Sequence, residues 1–395
     1  MVAEKKKIVI VKVVSNLEYG GAQRQIVEFI NGLDRSVFQI YLVSLSDYVP
    51  LGEKLRDKSC LHIIQKRHKY DFSVVFRLVK FLNKVAADIV HGYLFDAIIA
   101  ALLAGKVART NLIVSSERNT NYKFKRIQLV FHALTRSIPD ICIANSKSGA
   151  EFNSRTLKRP FEMYRVVHNG VDSQERFLPN RNNSLREEFD LDPSDFVVGM
   201  FGSFKEQKNH SQLFNAAKRV LEKYPETEFV LVGDQLYGGM HGSDAYKERI
   251  FKLIEELGVA PNCRFLGNRD DVEKLYNICD ITVLPSLFEG TPNVALESMS
   301  CAVPVIATDV SDNSYIIPHG KAGFIVPVGD VDATAKYIVQ LIENKEELYR
   351  LARGARDWVE REFPIARLVE KTEKIYVEEL ARKGVRFRVG VNMQR

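Results

Sequence analysis

Leu284-Pro-Ser-Leu-Phe-Glu-Gly-Thr-Pro-Asn-Val-Ala-Leu-Glu-Ser-Met299 is the stretch on which the reading of the chain turns. It follows Asp280-Ile-Thr-Val-Leu-Pro285, a short apolar, β-branched run with the character of a buried strand. A second such run, Pro304-Val-Ile-Ala-Thr308, comes after it. Between the two, Thr291 is a favourable N-cap and Pro292 suits the first helical position, where no backbone donor is needed. The pattern predicts a helix from about Pro292. The first-turn amides of Asn293, Val294 and Ala295 then have no partner inside the helix and point out at the strand's C-terminal end. Such a helix start is an anion site, because several donors and the positive end of the helix dipole converge there. Two carboxylates frame it, Glu289 in the loop and Glu297 more than a turn inside the helix. A diphosphate with a sugar on each side fits that description.

Two other readings compete. Paired carboxylates serve as acid and base in glycosidases, but there they must flank a bond from opposite sides. Glu289 and Glu297 lie on one loop and helix, which disfavours that chemistry. The plainer reading is an ordinary strand-helix-strand crossover with solvated glutamates. Against it stands the position of the carboxylates on a strand-end loop of an α/β sheet, where ligands bind, and the specific Gly-Thr-Pro turn between them.

Glu289-Gly-Thr-Pro-Asn-Val-Ala-Leu-Glu297 resembles the E-x7-E signature of glycosyltransferase family 4 (glycosyl transferases group 1), a retaining family with the GT-B fold. The resemblance implies that Glu289 binds donor-sugar hydroxyls and Glu297 the ribose. The turn Gly290-Thr291-Pro292 and the helix start Asn293-Val294 would hold the donor's diphosphate.

A chain of 395 residues exceeds one ordinary core, so two domains are expected. Its 46% hydrophobic and 27% charged residues suit a soluble globular protein. Five scattered cysteines (Cys60, Cys142, Cys263, Cys279 and Cys301) with no C-x-x-C read as reduced core residues of a cytoplasmic protein. The start, Met1 to Ile10, has a signal peptide's charged end, but Lys12 breaks its apolar run, and strand-type residues dominate. Ala97 to Gly105 is the longest other apolar run, far short of the roughly 20 residues a membrane span needs.

Charge is unevenly shared. Residues 1–175 hold 27 Lys and Arg against 16 Asp and Glu, a net of +11; the remainder holds 29 against 34, a net of −5. Basic clusters lie at Lys66-Arg-His-Lys69, Lys123-Phe-Lys-Arg126 and Arg155 to Arg165. No nucleic-acid module accompanies them, which disfavours a nucleic-acid partner. A solvated basic face and a surface for peripheral contact with an anionic membrane both remain as readings.

Strand-like runs alternate with helix-period segments, the pattern of parallel sheets built from strand-helix-strand units. Strands are expected at Ile8–Val14, Phe38–Leu45, Asp88–Tyr93, Asn111–Ser115, Asp140–Asn145 and Tyr164–His168, with helices such as Ala22–Leu33, Val74–Val85 and Ala97–Val107. The polar stretch Ser173 to Ser184 reads as an interdomain linker. The pattern restarts with strands at Phe196–Phe201, Glu228–Val232, Cys263–Leu266, Asp280–Leu284 and Val303–Ala307. The expected architecture is α/β, two Rossmann-like doubly wound domains facing one another across a cleft: residues 1–175 on the acceptor side, residues 185–364 for the nucleotide sugar. An amphipathic helix runs from Ile365 to Lys383. The resemblance implies that the segment 365–395 crosses back onto the first domain.

Ser15-Asn-Leu-Glu-Tyr-Gly-Gly-Ala-Gln23 resembles the family's Gly-rich loop, with Gly20 and Gly21 permitting positive φ and close approach to a donor. It is not G-x-G-x-x-G, so nothing favours a dehydrogenase. Val90-His-Gly-Tyr-Leu-Phe-Asp96 departs from the family's His-x-His, keeping His91 but carrying Tyr93 in the second place. His91 is therefore a catalytic candidate, with Tyr93, Asp96 and Arg118 as acceptor candidates.

Gly199-Met-Phe-Gly-Ser-Phe-Lys-Glu-Gln-Lys-Asn-His210 resembles the loop that neutralises the leaving diphosphate. Ser203 stands where most members have Arg, so the charge must come from Lys205 and Lys208, beside Gly202. Gly233 ends the next strand, and Asn268 and Arg269 end another, near the expected base. No cluster has metal-ligand spacing, so neither metal nor other cofactor is expected; the nucleoside-diphosphate sugar is a substrate.

The resulting expectation is a cytoplasmic retaining glycosyltransferase with a glycan or lipid-linked acceptor. Its rivals are a nucleotide-sugar epimerase or hydrolase of the same fold, which would need no acceptor, and a non-catalytic subunit. Intact Glu289, Glu297, Lys205 and Lys208 argue against the second.

Overall fold

The structure is a computed structural model describing residues 7–68, 71–118, 120, 124–180, 183–235 and 242–385. The chain divides into two units, residues 1–169 with 365–395, and residues 170–364. Within these, Lys69 and Lys123 of the basic clusters, and the tail 386–395, lie outside the described residues.

The first unit opens with β1 (Ile8–Val14), α1 (Gly21–Gly32), β2 (Phe38–Ser44), β3 (Leu61–Ile63) and α2 (Ser73–Lys84). It continues through β4 (Ile89–Tyr93), α3 (Phe95–Ala108), β5 (Leu112–Glu117), α4 (Arg126–Thr135), β6 (Ile141–Ala144), α5 (Lys147–Leu157) and β7 (Tyr164–Val166). The strands form one parallel sheet in the order β3-β2-β1-β4-β5-β6-β7. β1 has all seven residues buried, as a central strand covered on both faces must. Ile8, Ile10 and Val14 point into the cluster with α1, while Val11 and Val13 point at α2 and α3.

The second unit runs α6 (Asn183–Glu187), β8 (Phe196–Phe201), α7 (His210–Leu221), β9 (Thr227–Val232), α8 (Ser243–Leu257), β10 (Cys263–Phe265) and α9 (Val272–Ile278). It is completed by β11 (Ile281–Leu284), α10 (Asn293–Ser300), β12 (Val305–Thr308), α11 (Asn313–Ile316), β13 (Gly323–Val326), α12 (Val331–Glu343) and α13 (Lys345–Glu362). Its parallel sheet has the order β10-β9-β8-β11-β12-β13. The expected strands are present within a residue or two at each end. β3 and β13 were not expected.

The last helix, α14 (Ile365–Arg382), packs in the first unit. Leu368, Val369, Tyr376 and Leu380 join the same cluster as Ile26, Phe29 and Ile30 of α1. Val369 lies against Gly32, where an added Cβ would sit 3.0 Å from its methyl.

The boundary differs from the sequence reading. The division falls after Asn169, not at 175, and the expected linker's stretch from Ser173 to Asn180 is not free; residues 181–182 lie outside the described residues. Phe177 is buried against Tyr276, 6.1 Å between ring centroids. Its carbonyl accepts from Ser300 Oγ at 2.8 Å and from Arg356 at 2.9 Å. Asn180 N–H donates to Asn277 Oδ1 at 2.6 Å. One aromatic anchor and satisfied backbone groups tie this polar stretch to the second unit, which composition alone does not reveal. Beside it Val171 N–H donates to the Phe363 carbonyl at 2.9 Å, so the two chain crossings run adjacent.

All five cysteines are buried and free. Among the described residues no helix is long and apolar enough to cross a membrane.

Candidate active site

In the second unit the strand order reverses between β8 and β11, which pair directly. Ligands of open α/β sheets bind beyond the strand ends at such a point. There the β8 loop carries Gly202, Ser203, Lys205 and Lys208, and the β11 loop runs through Ser286 to Glu289 and into α10. Lys208 Nζ lies 2.6 Å from Glu289 Oε1, and Ser286 Oγ donates to the same oxygen at 2.7 Å. Gln207 stitches the loops together, its side chain donating to the Phe288 carbonyl at 2.7 Å and its own carbonyl accepting Leu287 N–H at 2.8 Å. Thr308 Oγ1, from β12, donates to the Ser286 carbonyl at 2.6 Å. The charged pair is therefore held by three strand-end loops, and both side chains are mostly buried.

Lys205 joins the cluster electrostatically. Burial, then the neighbouring Lys208 charge, pulls its ammonium down to about 8, against the opposing pull of Glu289. Glu297 is buried on α10, and its Oε2 accepts the Tyr276 hydroxyl at 2.8 Å. Tyr276 is itself fixed by stacking on Phe201 of β8, 4.0 Å between centroids. The unit thus brings together two lysines, two oriented carboxylates and the N-terminal end of α10 at one edge of the sheet.

Several details differ from the sequence reading. α10 begins at Asn293, and Pro292, with φ −75° and ψ 109°, is the N-cap in place of Thr291. The Pro292 carbonyl accepts Ala295 N–H at 3.2 Å, so only the Asn293 and Val294 amides precede the helix's own bonding. Gly233, at φ +132°, also has a packing reason: an added Cβ would stand 2.3 Å from the Gly202 carbonyl oxygen. The glycine lets the β9 end pack on the β8 loop. Arg269 is committed to Asp271 through two bonds of 2.8 Å, and Asn268 is exposed beside it.

In the first unit Gly20 and Gly21 stand at the start of α1, and neither has positive φ. Gly20 is extended, and an added Cβ there would meet only the movable amide of Gln23. His91 and Tyr93 are 1% and 2% exposed. His91 Nδ1 lies 2.6 Å from the Tyr376 hydroxyl of α14 and 3.1 Å from that of Tyr93, while its Nε2 is buried with no hydrogen-bond partner among the described residues. Burial, helped by the charges of Lys12 and Arg118, keeps this imidazole neutral, well below its ordinary value. Both residues belong to a buried cluster under α14.

Lys12 of β1, in register with His91, completes that cluster. It bonds the Tyr93 hydroxyl and lies 3.6 Å from the Phe29 ring centroid. Its pKa is lowered by burial and then by Arg118. Arg118 lies over the Tyr93 ring and donates to Asn169 Oδ1 at 2.8 Å. A small cavity between these residues and Gln25, Leu368 and Thr372 has room for about one water. Asp96 is elsewhere, exposed and 2.9 Å from Lys66.

Known proteins decide the family. The profile of Glycosyltransferase Family 4 matches residues 19–175, and that of Glycosyl transferases group 1 matches residues 182–358. Together they span most of the chain. The chain belongs to glycosyltransferase family 4. Among similar family members is the UDP-Gal:α-D-GlcNAc-diphosphoundecaprenol α-1,3-galactosyltransferase of Escherichia coli, 26% identical over 79% of this chain and 81% of the relative. Another is the N-acetyl-α-D-glucosaminyl L-malate synthase of Bacillus anthracis, 25% identical over 79% of this chain and 80% of that one. HepE of Anabaena, solved in complex with UDP-glucose, superposes with a TM-score of 0.82 at 21% identity, over 94% of this chain and 100% of its own. The fold is GT-B.

For this family 4 glycosyltransferase, sequence reasoning found both carboxylates and both lysines but missed Ser286 and Tyr276. Each orients one of the carboxylates. Ser286 had a signal, standing three residues before Glu289 in the quoted stretch. Tyr276 had none, because only the packing of α9 on α10 brings it to Glu297.

Proposed function

We propose that this glycosyltransferase moves a hexose from a UDP-sugar to a hydroxyl of a glycan or lipid-linked saccharide, with retention at the anomeric carbon. The observation that carries the reading is the Lys208–Glu289 pair beside Lys205, held at the strand-order reversal next to the α10 N-terminus. UDP-glucose in HepE and the UDP-Gal and diphosphoundecaprenol in the E. coli relative's name support the donor and acceptor classes.

Breaking the anomeric bond leaves a nucleoside diphosphate, so the dominant demand is for positive charge where the phosphate oxygens gain negative charge. Lys205, Lys208 and the amides of Asn293 and Val294 supply it, and no metal is assigned to that task. Glu289 accepts from donor-sugar hydroxyls and favours positive character at the anomeric carbon. Its bond to Lys208 links the two halves of the breaking bond. Glu297, held by Tyr276, accepts from the ribose hydroxyls. The acceptor hydroxyl attacks from the face the diphosphate vacates, the diphosphate oxygen taking its proton, which gives retention.

The carboxylates separate in a simple experiment. Glu297→Ala is expected to weaken binding of free UDP, because the ribose is common to donor and product. Glu289→Ala is expected to leave UDP binding nearly intact and to damage transfer. Titration calorimetry with UDP on both variants decides it, and the reverse order would exchange their roles. NMR of the product's anomeric configuration tests retention.

Lys205 predicts a pH dependence. Its ammonium is charged below about 8 in the free enzyme. As pH rises through that value the positive charge is lost, so kcat/KM should fall on the alkaline side. Bound diphosphate favours the charged form, so the limb in kcat should lie higher. Lys205→Arg should move the kcat/KM limb upward; an unmoved limb assigns it to another group.

A further inference from the structure

Helix α4 is built inside out. Ile127, Val130 and Leu134 fall at i, i+3 and i+7, one face of the helix, yet they are 53%, 52% and 72% exposed. The buried positions are polar: His132 sits between the rings of Phe95 and Phe124, and Thr135 Oγ1 donates to the Phe131 carbonyl at 2.8 Å. The apolar face does not end with the helix. Phe131 touches the exposed Phe72 ring at 6.4 Å between centroids, and Phe76, one turn further along α2, is 73% exposed.

The same surface carries charge of one sign. Residues 118–139 contain five Lys and Arg and no Asp or Glu; residues 72–87 contain three and none. Phe72, Phe76, Lys80 and Lys84 are all exposed and spaced by four, so the apolar row of α2 runs directly into a basic one. Lys125, Arg126 and Arg136 are exposed at the two ends of α4.

An apolar centre with a basic rim has the chemistry of a bilayer's anionic surface, where apolar side chains enter the headgroup region and cations meet phosphates. A second copy of the chain is a poorer occupant, because a two-fold contact would set this rim against itself. We propose that the face formed by α4 and the start of α2 docks the first unit on an anionic membrane. Phe72, Phe76, Ile127, Val130 and Leu134 enter the headgroup layer, and Lys80, Lys125, Arg126 and Arg136 meet the phosphates. This deepens the proposed transfer to a lipid-linked acceptor and rests on that reading for its purpose.

Sedimentation of the full chain with phosphatidylglycerol-containing vesicles, against pure phosphatidylcholine, tests it. The wild type should sediment with the anionic vesicles and retain part of its binding at high salt, the apolar share. Ile127→Ser/Val130→Ser/Leu134→Ser should weaken that binding at least tenfold, with unchanged circular dichroism and unchanged transfer to a water-soluble acceptor. Phe76→Ser alone, at a site open to solvent, gives the same direction if the triple variant folds poorly. Lys125→Gln and Arg126→Gln should each cost roughly fivefold at low salt, equivalent to about 1 kcal/mol per basic side chain, and little at high salt. Equal binding to both vesicle types overturns the proposal. So does an unaltered triple variant, or one that loses only self-association, which makes the face a dimer contact. Binding requires neither donor nor acceptor, so a protein that docks but does not transfer refutes the transferase reading and leaves the docking face standing.

Discussion

Lys208→Met is expected to lower kcat on the order of 10²-fold with saturating donor, while the protein stays folded. The size follows from deleting one preorganised charge aimed at oxygens that become more negative in the transition state. Methionine is the informative replacement, because the Lys208 stem covers Gly202: its Cγ to Cε lie 3.2 to 3.4 Å from where a Cβ would stand. A thioether of similar length keeps that contact and removes only the ammonium. Ser286 still donates to Glu289 in the variant, and Lys205 still offsets its charge. Turnover should therefore fall much further than stability. Steady-state kinetics beside a thermal melt settle the matter. Wild-type kcat in a folded Lys208→Met protein would remove Lys208 from the reaction.

The loops that carry the pair were legible in the sequence for a physical reason. Both follow apolar, β-branched strands, and in a doubly wound sheet such loops gather at one edge. Strand pattern placed them there and the family resemblance singled out Lys208 and Glu289, but their direct ion pair was not foreseen. What pattern does not encode is the identity of neighbours brought in by packing. Tyr276 and Glu297 are joined only through the packing of α9 on α10. Lys12 was visible as a break in an apolar strand, but Tyr93 and Phe29, which surround it, lie on a different strand and on α1.

His91 shows a related limit. Its strand-end position is legible in the sequence, but its contact with Tyr376 of α14, from the far end of the chain, is not. For α4, the 3.6-residue period identifies an apolar stripe but not the side that faces the core. The usual inference, apolar inward, is reversed there: the buried His132 packs against the half-buried rings of Phe95 and Phe124 while the apolar stripe faces outward.

A second large effect is expected in the first unit's interior, from Arg159→Met. The Arg159 side chain is fully buried, and its guanidinium lies 3.1 Å from Glu117 Oε1 at the end of β5, next to Arg118. Burial pushes the Glu117 carboxyl up even with the arginine beside it. Without Arg159 the carboxylate keeps, among the described residues, the Ser115 hydroxyl at 3.1 Å. Removing one partner of a buried ion pair costs about 3–5 kcal/mol, most of it the uncompensated charge. For a unit of this size that is a drop of about 10 °C in Tm. The sign with pH follows. A carboxyl whose folded value is raised is penalised at pH above that value and relieved once protonated. The deficit should thus be full at pH 7 and shrink as the pH falls toward 4. The single tryptophan, Trp358, sits on α13 of the second unit. Its fluorescence follows that unit's unfolding, while far-ultraviolet circular dichroism follows both. Circular dichroism should show an early transition in Arg159→Met, and Arg159→Met/Glu117→Leu should recover most of the loss, because the double variant removes both members of the pair. A single variant that melts with the wild type would mean that Glu117 is already neutral in the folded chain.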